Sequence, residues 1–180
     1  MRRIYAFVIS LAVLVATPGL ATADIFTRPA GDQQAVDYVI ARALSQRGVP
    51  FSYGGGDATG PTRGSGPAEN AIGLDRAGHV VGLDPAESIV GFDASGLMVY
   101  AFAGVGIKMA RSSGEQYKTG RKVLPAQALP GDLIFYGPNG NQSVAMFLGN
   151  GKMLEATDPA VTVTPVRTKN MTPYLVRVIA

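Results

Sequence analysis

The stretch Gly91-Phe92-Asp93-Ala94-Ser95-Gly96-Leu97-Met98-Val99-Tyr100 limits what this chain can fold into more than any other. Small and polar residues run directly into Leu97, Met98, Val99, Tyr100, Ala101, Phe102 and Val105, which leave no polar face. A helix that is apolar all round has to be buried, so the rest of the chain must wrap around this one. Asp93 and Ser95 are capping types for its start. Gly104 and Gly106 stop it. The first turn of such a helix has unpaired N–H groups and a partial positive charge, which suit it to holding an anion or a nucleophile. Yet the residue at the tip is Ala94, whose methyl group has no chemistry to offer.

What can surround that helix is bounded by the remaining residues. The 180 residues suit one domain, and a 47% hydrophobic content is enough for a core. At the N-terminus, Arg2-Arg3 precedes an apolar run from Ile4 to Ala16, and Ala21-Thr22-Ala23 follows as a small-residue cleavage motif. This is the layout of an export signal. We expect residues 1–23 to be a signal peptide cut between Ala23 and Asp24, leaving 24–180 as a secreted or cell-envelope domain. The run is short for a membrane span, so no span is expected after cleavage. The leader takes two arginines and no acid out of the net charge of +3. The mature chain is therefore close to neutral, which gives no support for nucleic acid or an anionic membrane as partner.

There is no cysteine. An exported chain may use disulfides, but this one has none to form. It also has no thiolate nucleophile and no cysteine-ligated metal. Its one histidine, His79, rules out a multi-histidine zinc site. We expect neither metal nor cofactor.

In chain order, Asp32 is a fair N-cap for a helix whose Val36, Val39, Ile40, Ala43 and Leu44 share one face. Gly48 and Pro50 end it. Phe51-Ser52-Tyr53-Gly54-Gly55-Gly56 follows, where three glycines let the backbone approach either a ligand or the facing helix. Tyr53 suits a groove wall, and the same residues would equally make a tight turn with a packed tyrosine. Residues Gly56 to Val90 show little periodicity, and a loop of that length is commonly a lid or groove wall. His79 lies within it, far from any nucleophile in sequence, and reads as solvated. Beyond the buried helix, Ser112 to Glu115 has capping-box spacing. Arg111 has the planar fork that binds a carboxylate, although by default such an arginine is simply exposed. From Pro130 the period becomes two, giving strands at 132–136, 143–148, 152–156, 161–163 and 174–179. Helices first and strands later make an α+β layout, an antiparallel sheet of about five to six strands with helices packed on one side.

Several of these pieces, spaced in the right order, resemble the NlpC/P60 family. They are Tyr53-Gly54-Gly55-Gly56, Phe92-Asp93-x-Ser95-Gly96-Leu97, Arg111-x-Ser113-x-x-Gln116, Pro130-Gly131-Asp132-Leu133 and Val144-Ala145-x-x-Leu148-Gly149. The Gly-rich segment and Ala103-Gly104-Val105-Gly106-Ile107 resemble the mycobacterial Rip group within it. The resemblance implies a papain-like fold and, in active members, cleavage of peptidoglycan stem peptides by a Cys, a His and a third polar group. The thiolate attacks, the imidazole moves the proton, and the third group orients the imidazole.

Carried onto this sequence, the nucleophile position is Ala94, the base position is Ser143 and the orienting position is Glu155. Only the last is retained, and a serine cannot do an imidazole's work near neutral pH. Ser95 lies one residue along but has no base in reach, so its expected role is capping. The implied protein binds peptidoglycan without cutting it. Its expected contacts are Tyr53, Asp93, Ala94, Ser95, Arg111, Ser143 and Glu155, with Arg111 meeting a stem carboxylate and Glu155 an amine. Two other readings stay open: a module that positions or regulates active cell-wall hydrolases, and an endopeptidase of altered mechanism. The mapping also demands a strand register. A two-residue Asn150-Gly151 turn alone would set Met146 opposite Glu155. A three-residue loop Gly149-Asn150-Gly151 would set Ala145 there and bring Ser143 diagonally onto the same face, and that register is expected.

Overall fold

The computed structural model describes residues 28–65, 73–74, 80–81 and 89–180. The expected signal peptide with its cleavage site, and His79, lie outside the described residues. Three α-helices are described: α1 (Ala30–Leu44), α2 (Ala94–Ala103) and α3 (Ser113–Lys118). Among the described residues no helix is long and apolar enough to cross a membrane.

The sheet is made by β5 (Arg121–Val123), β6 (Leu133–Tyr136), β7 (Ser143–Gly149), β8 (Lys152–Ala156), β9 (Val161–Pro165) and β10 (Leu175–Arg177). Their order is β5-β10-β6-β7-β8-β9, and every neighbour runs antiparallel. Two short ladders precede it, β1 (Thr62–Arg63) with β4 (Val90–Gly91), and β2 (Gly73–Leu74) with β3 (Val80–Val81). The α+β architecture is the expected one. β5 was not foreseen: Arg121 and Lys122 are exposed and the strand has only three residues, too few for a period of two to register.

Helix α2 is buried as its sequence requires. Leu97, Met98 and Ala101 have no exposed surface, and they pack with Val39 and Ala43 of α1 and with Val144, Met146 and Leu154 of the sheet. The helix starts at Asp93, whose side chain accepts from Gly96 N. Ser95 is therefore inside the first turn rather than the cap. In α1 the cap position is Pro29, and Asp32 sits in the first turn, where its charge suits the helix dipole. The second face of the sheet is also covered. Ile134, Tyr136, Ala145 and Met153 form a smaller cluster there, which is why β6 is buried along its whole length.

The β7–β8 hairpin reaches the expected register by another route. Gly149 pairs with Lys152, so the turn is the two-residue Asn150-Gly151, both at positive φ (49° and 66°). That is the type I′ geometry natural to two-residue hairpins. The ladder then shifts by one between Phe147 and Gly149, and Met146 lies opposite Leu154. A bulge supplies the residue that a longer loop would have supplied. Ala145 thus falls opposite Glu155, with Ser143 diagonal to it on the same face.

A buried ionic centre ties the ends of the domain together. Asp132 has no exposed surface. It accepts from Arg28 at 2.6 Å, and from Arg177 Nε at 2.8 Å and Nη2 at 2.7 Å. Arg28 also donates to Ile179 O, and Asp132 Oδ2 receives Leu129 N.

Candidate functional site

The polar start of α2 and the ends of β7 and β8 open onto one cleft of about 680 Å³. All seven residues named from sequence line it: Tyr53, Asp93, Ala94, Ser95, Arg111, Ser143 and Glu155. Ala94 is the first residue of α2, and Ser143 is the first residue of β7, paired with Tyr136. Glu155 projects from β8 and Tyr53 stands at the rim, 55% exposed.

The Gly54-Gly55-Gly56 turn forms one wall by pressing its backbone onto α2. A Cβ on Gly96 would lie 2.2 Å from Gly55 O, so no side chain fits at that contact. Of the two uses open to these glycines, close approach to the facing helix is the one found. The wall is tied down by Asp93, which donates its N–H to Gly55 O and whose Oδ2 accepts from Gly54 N at 3.0 Å.

Asp93 is the hub of this end of the cleft. Its Oδ1 accepts from Gly96 N at 2.6 Å, Ser95 Oγ at 3.1 Å and Arg111 Nη1 at 2.9 Å, and its Oδ2 accepts from Arg111 Nη2 at 2.9 Å. Arg111 also donates to Ser95 Oγ and Gly55 O. The guanidinium foreseen for a ligand carboxylate is thus already held by a protein carboxylate. The Ser95 hydroxyl donates to Asp93 Oδ1, an oxygen already shared with Arg111 and Gly96.

The opposite end is built on Glu155, a carboxylate 2% exposed. Its Oε1 accepts from Thr164 Oγ1 at 2.7 Å and Arg167 Nη1 at 2.5 Å. The hydrogen bond to Glu155 is the main reason the Arg167 guanidinium holds its proton more tightly than usual. Arg167 lies over the Tyr136 ring, 4.8 Å from its centroid, and its carbonyl accepts from the Tyr136 hydroxyl. Burial is the main cause that pushes that hydroxyl's pKa up. Arg167 escaped the sequence reading. It follows β9 in Thr164-Pro165-Val166-Arg167, which carries no motif, and only strand pairing brings it to Glu155.

Among the described residues no group of three or more His, Cys, Asp or Glu side chains could hold a metal ion. The cleft is lined by hydroxyls, the amides of Asn141 and Gln142, the rings of Phe51 and Tyr53, and two ion pairs. Among the described residues one buried side-chain polar atom lacks a partner, Gln116 Oε1, whose amide nitrogen donates to Ser95 O and Ala110 O.

This geometry has close counterparts. The solved structure of RipD from Mycobacterium tuberculosis is described as a non-catalytic NlpC/P60 domain protein adapted to peptidoglycan binding. It is 58% identical, with a TM-score of 0.69 over 81% of this chain and 98% of that one. The peptidoglycan endopeptidase RipB of the same organism is 49% identical over 90% of this chain, and its endopeptidase RipA 51% identical over 82%. The chain spans 61% of the length of RipB and 28% of RipA. Three solved forms of RipA, at TM-scores of 0.71 to 0.72, are altered at a cysteine, at a histidine 49 residues after it and at a glutamate 61 residues after it. The same spacings separate Ser143 and Glu155 from Ala94. The NlpC/P60 family model matches residues 48–180, which contain every residue of the cleft, and the chain belongs to the NlpC/P60 family.

Proposed function

We propose that this protein is a secreted, catalytically inactive NlpC/P60 domain that binds peptidoglycan through its stem peptides. The observation that carries the reading is Ala94 at the tip of the buried helix, in a chain with no cysteine. Acyl transfer by this scaffold needs a nucleophile and a base in contact. Ala94 offers a methyl group, Ser143 has no basic nitrogen, and the neighbouring Ser95 is held between Asp93 and Arg111. A cleft that cannot turn over its ligand keeps it bound. The small side chains at positions 94 and 143 leave room for a peptide chain, and Tyr53 supplies an exposed aromatic wall. The description of RipD supports the binding role, and export fits the leader at residues 1–23.

The test is co-sedimentation of the mature chain with purified insoluble peptidoglycan, alongside an assay for newly released amines. Binding without amine release is expected. A protein that stays in the supernatant refutes the binding role. Amine release that Ser95→Ala abolishes would instead identify an endopeptidase of altered mechanism. Sedimentation that requires an added cell-wall hydrolase would identify a regulatory module.

A further inference from the structure

Four charged side chains face the cleft as two ion pairs, and the pairs are built differently. Arg111 spends both terminal nitrogens on the protein, in hydrogen bonds to both Asp93 oxygens, Ser95 Oγ and Gly55 O. Arg167 makes one side-chain hydrogen bond among the described residues, from Nη1 to Glu155. Exposure separates them too. In the first pair the side chains are 44% and 16% exposed, so both charges meet solvent. In the second, Arg167 is 48% exposed and Glu155 only 2%. That pair is a dipole with its anion in the protein and its cation in the cleft.

The cation is also held in place. Its carbonyl is fixed by the Tyr136 hydroxyl at 3.1 Å and its guanidinium carbon lies over the same ring, 4.8 Å from the centroid. A guanidinium offers five N–H donors in a rigid fork that matches a carboxylate. With one donor committed, the others are available to a ligand, and little side-chain freedom is left to lose on binding. Ser143 and Thr157 line the same cleft and add hydroxyls that can donate to an anion.

We propose that Arg167 is the residue through which this cleft reads a free carboxylate of its peptide ligand, with Glu155 as the buried counter-ion that positions it. The assignment rests on the peptidoglycan-binding reading and names the group that site recognises. It moves the carboxylate contact from Arg111, where the sequence placed it, to a residue on the opposite wall.

The experiment is calorimetric titration of the mature chain with a synthetic stem tetrapeptide as the free acid and as its fully amidated form. Peptides amidated at one carboxyl at a time then identify which carboxylate is read. The free acid should bind about tenfold more tightly, one charge-assisted hydrogen-bond set. Removing Arg167 alone would strand a buried Glu155, so the informative variant is Arg167→Gln with Glu155→Gln, which keeps an uncharged pair. Its affinities for acid and amide should agree within about twofold. Arg167→Lys keeps the ion pair with Glu155 and should lose at least half of the preference if the double variant does not fold. Equal binding of acid and amide by the wild-type chain overturns the proposal, as does full retention of the preference in either variant. A chain that sediments with peptidoglycan yet shows no preference defeats this inference alone. A chain that binds neither peptidoglycan nor peptide defeats the functional reading as well.

Discussion

Replacing Asp93 with alanine should cost far more than its partial exposure suggests, because one carboxylate performs three tasks. It caps α2 through Gly96 N, ties the glycine wall through Gly54 N, and holds Arg111 through both oxygens. Losing the cap costs about 1 kcal/mol. Leaving the Gly54 amide without its acceptor costs about another 1 kcal/mol. The Arg111 pair, with the arginine 44% exposed, is discounted for solvent screening to about 0.5 kcal/mol. The total is about 2–3 kcal/mol, or a fall in Tm of about 5–10 °C for a chain of this size. Arg111→Ala removes only the screened pair and contacts that water can replace, so it should cost about 1 kcal/mol or less. Urea unfolding followed by far-ultraviolet circular dichroism measures both, and a double-mutant cycle isolates the pair. Equal costs for the two single variants would show that the ion pair holds this wall, and the reasoning from the cap and the Gly54 amide would be wrong.

Other outcomes follow from the same geometry. Asp132→Ala leaves Arg28 and Arg177 buried without a counter-charge, with side chains 3% and 6% exposed; a loss of about 3–5 kcal/mol is expected in chemical denaturation. Glu115→Ala breaks a pair in which both partners are more than half exposed, and should change stability by less than about 0.5 kcal/mol. Burial raises the Tyr136 pKa above its ordinary 10.0, so its contribution to stability is complete below that pH and is lost as pH rises through the folded value. Thermal melts across the alkaline range should therefore show the wild type losing ground to Tyr136→Phe only above pH 10.0. Ala94→Cys combined with Ser143→His puts a thiol at the helix tip and an imidazole diagonal to Glu155, and should produce measurable stem-peptide cleavage where either change alone produces none.

The residues that the resemblance picked out line one cleft, and they were legible because they sit in short, ordered motifs. The identity of the charges a ligand meets was less legible. Arg111 lies in a motif and draws attention, yet its donors are consumed by Asp93, which the sequence read as a helix cap. Arg167 lies in no motif and is brought in by β9 pairing with β8. An ion pair between residues 12 apart, one on β8 and one beyond the end of β9, leaves no local periodicity to detect. The hairpin shows the same limit. The Ala145–Glu155 register could be derived from what the site needs, but the means was a type I′ turn plus a bulge, two features whose effects on register combine and are not separable from sequence.

The sequence by itself determined what this chain cannot do and what must be buried. Without cysteine there is no thiolate at any position, whatever the fold. An all-apolar helix behind Asp93-Ala94-Ser95-Gly96 has to be central, because burial of apolar surface is indifferent to the details of topology. The tertiary structure decided where the charges point. Hydrogen bonds and ion pairs are directional and short-ranged, so only the assembled fold turned Glu155 inward, turned Arg167 toward the cleft and left Arg111 closed upon Asp93.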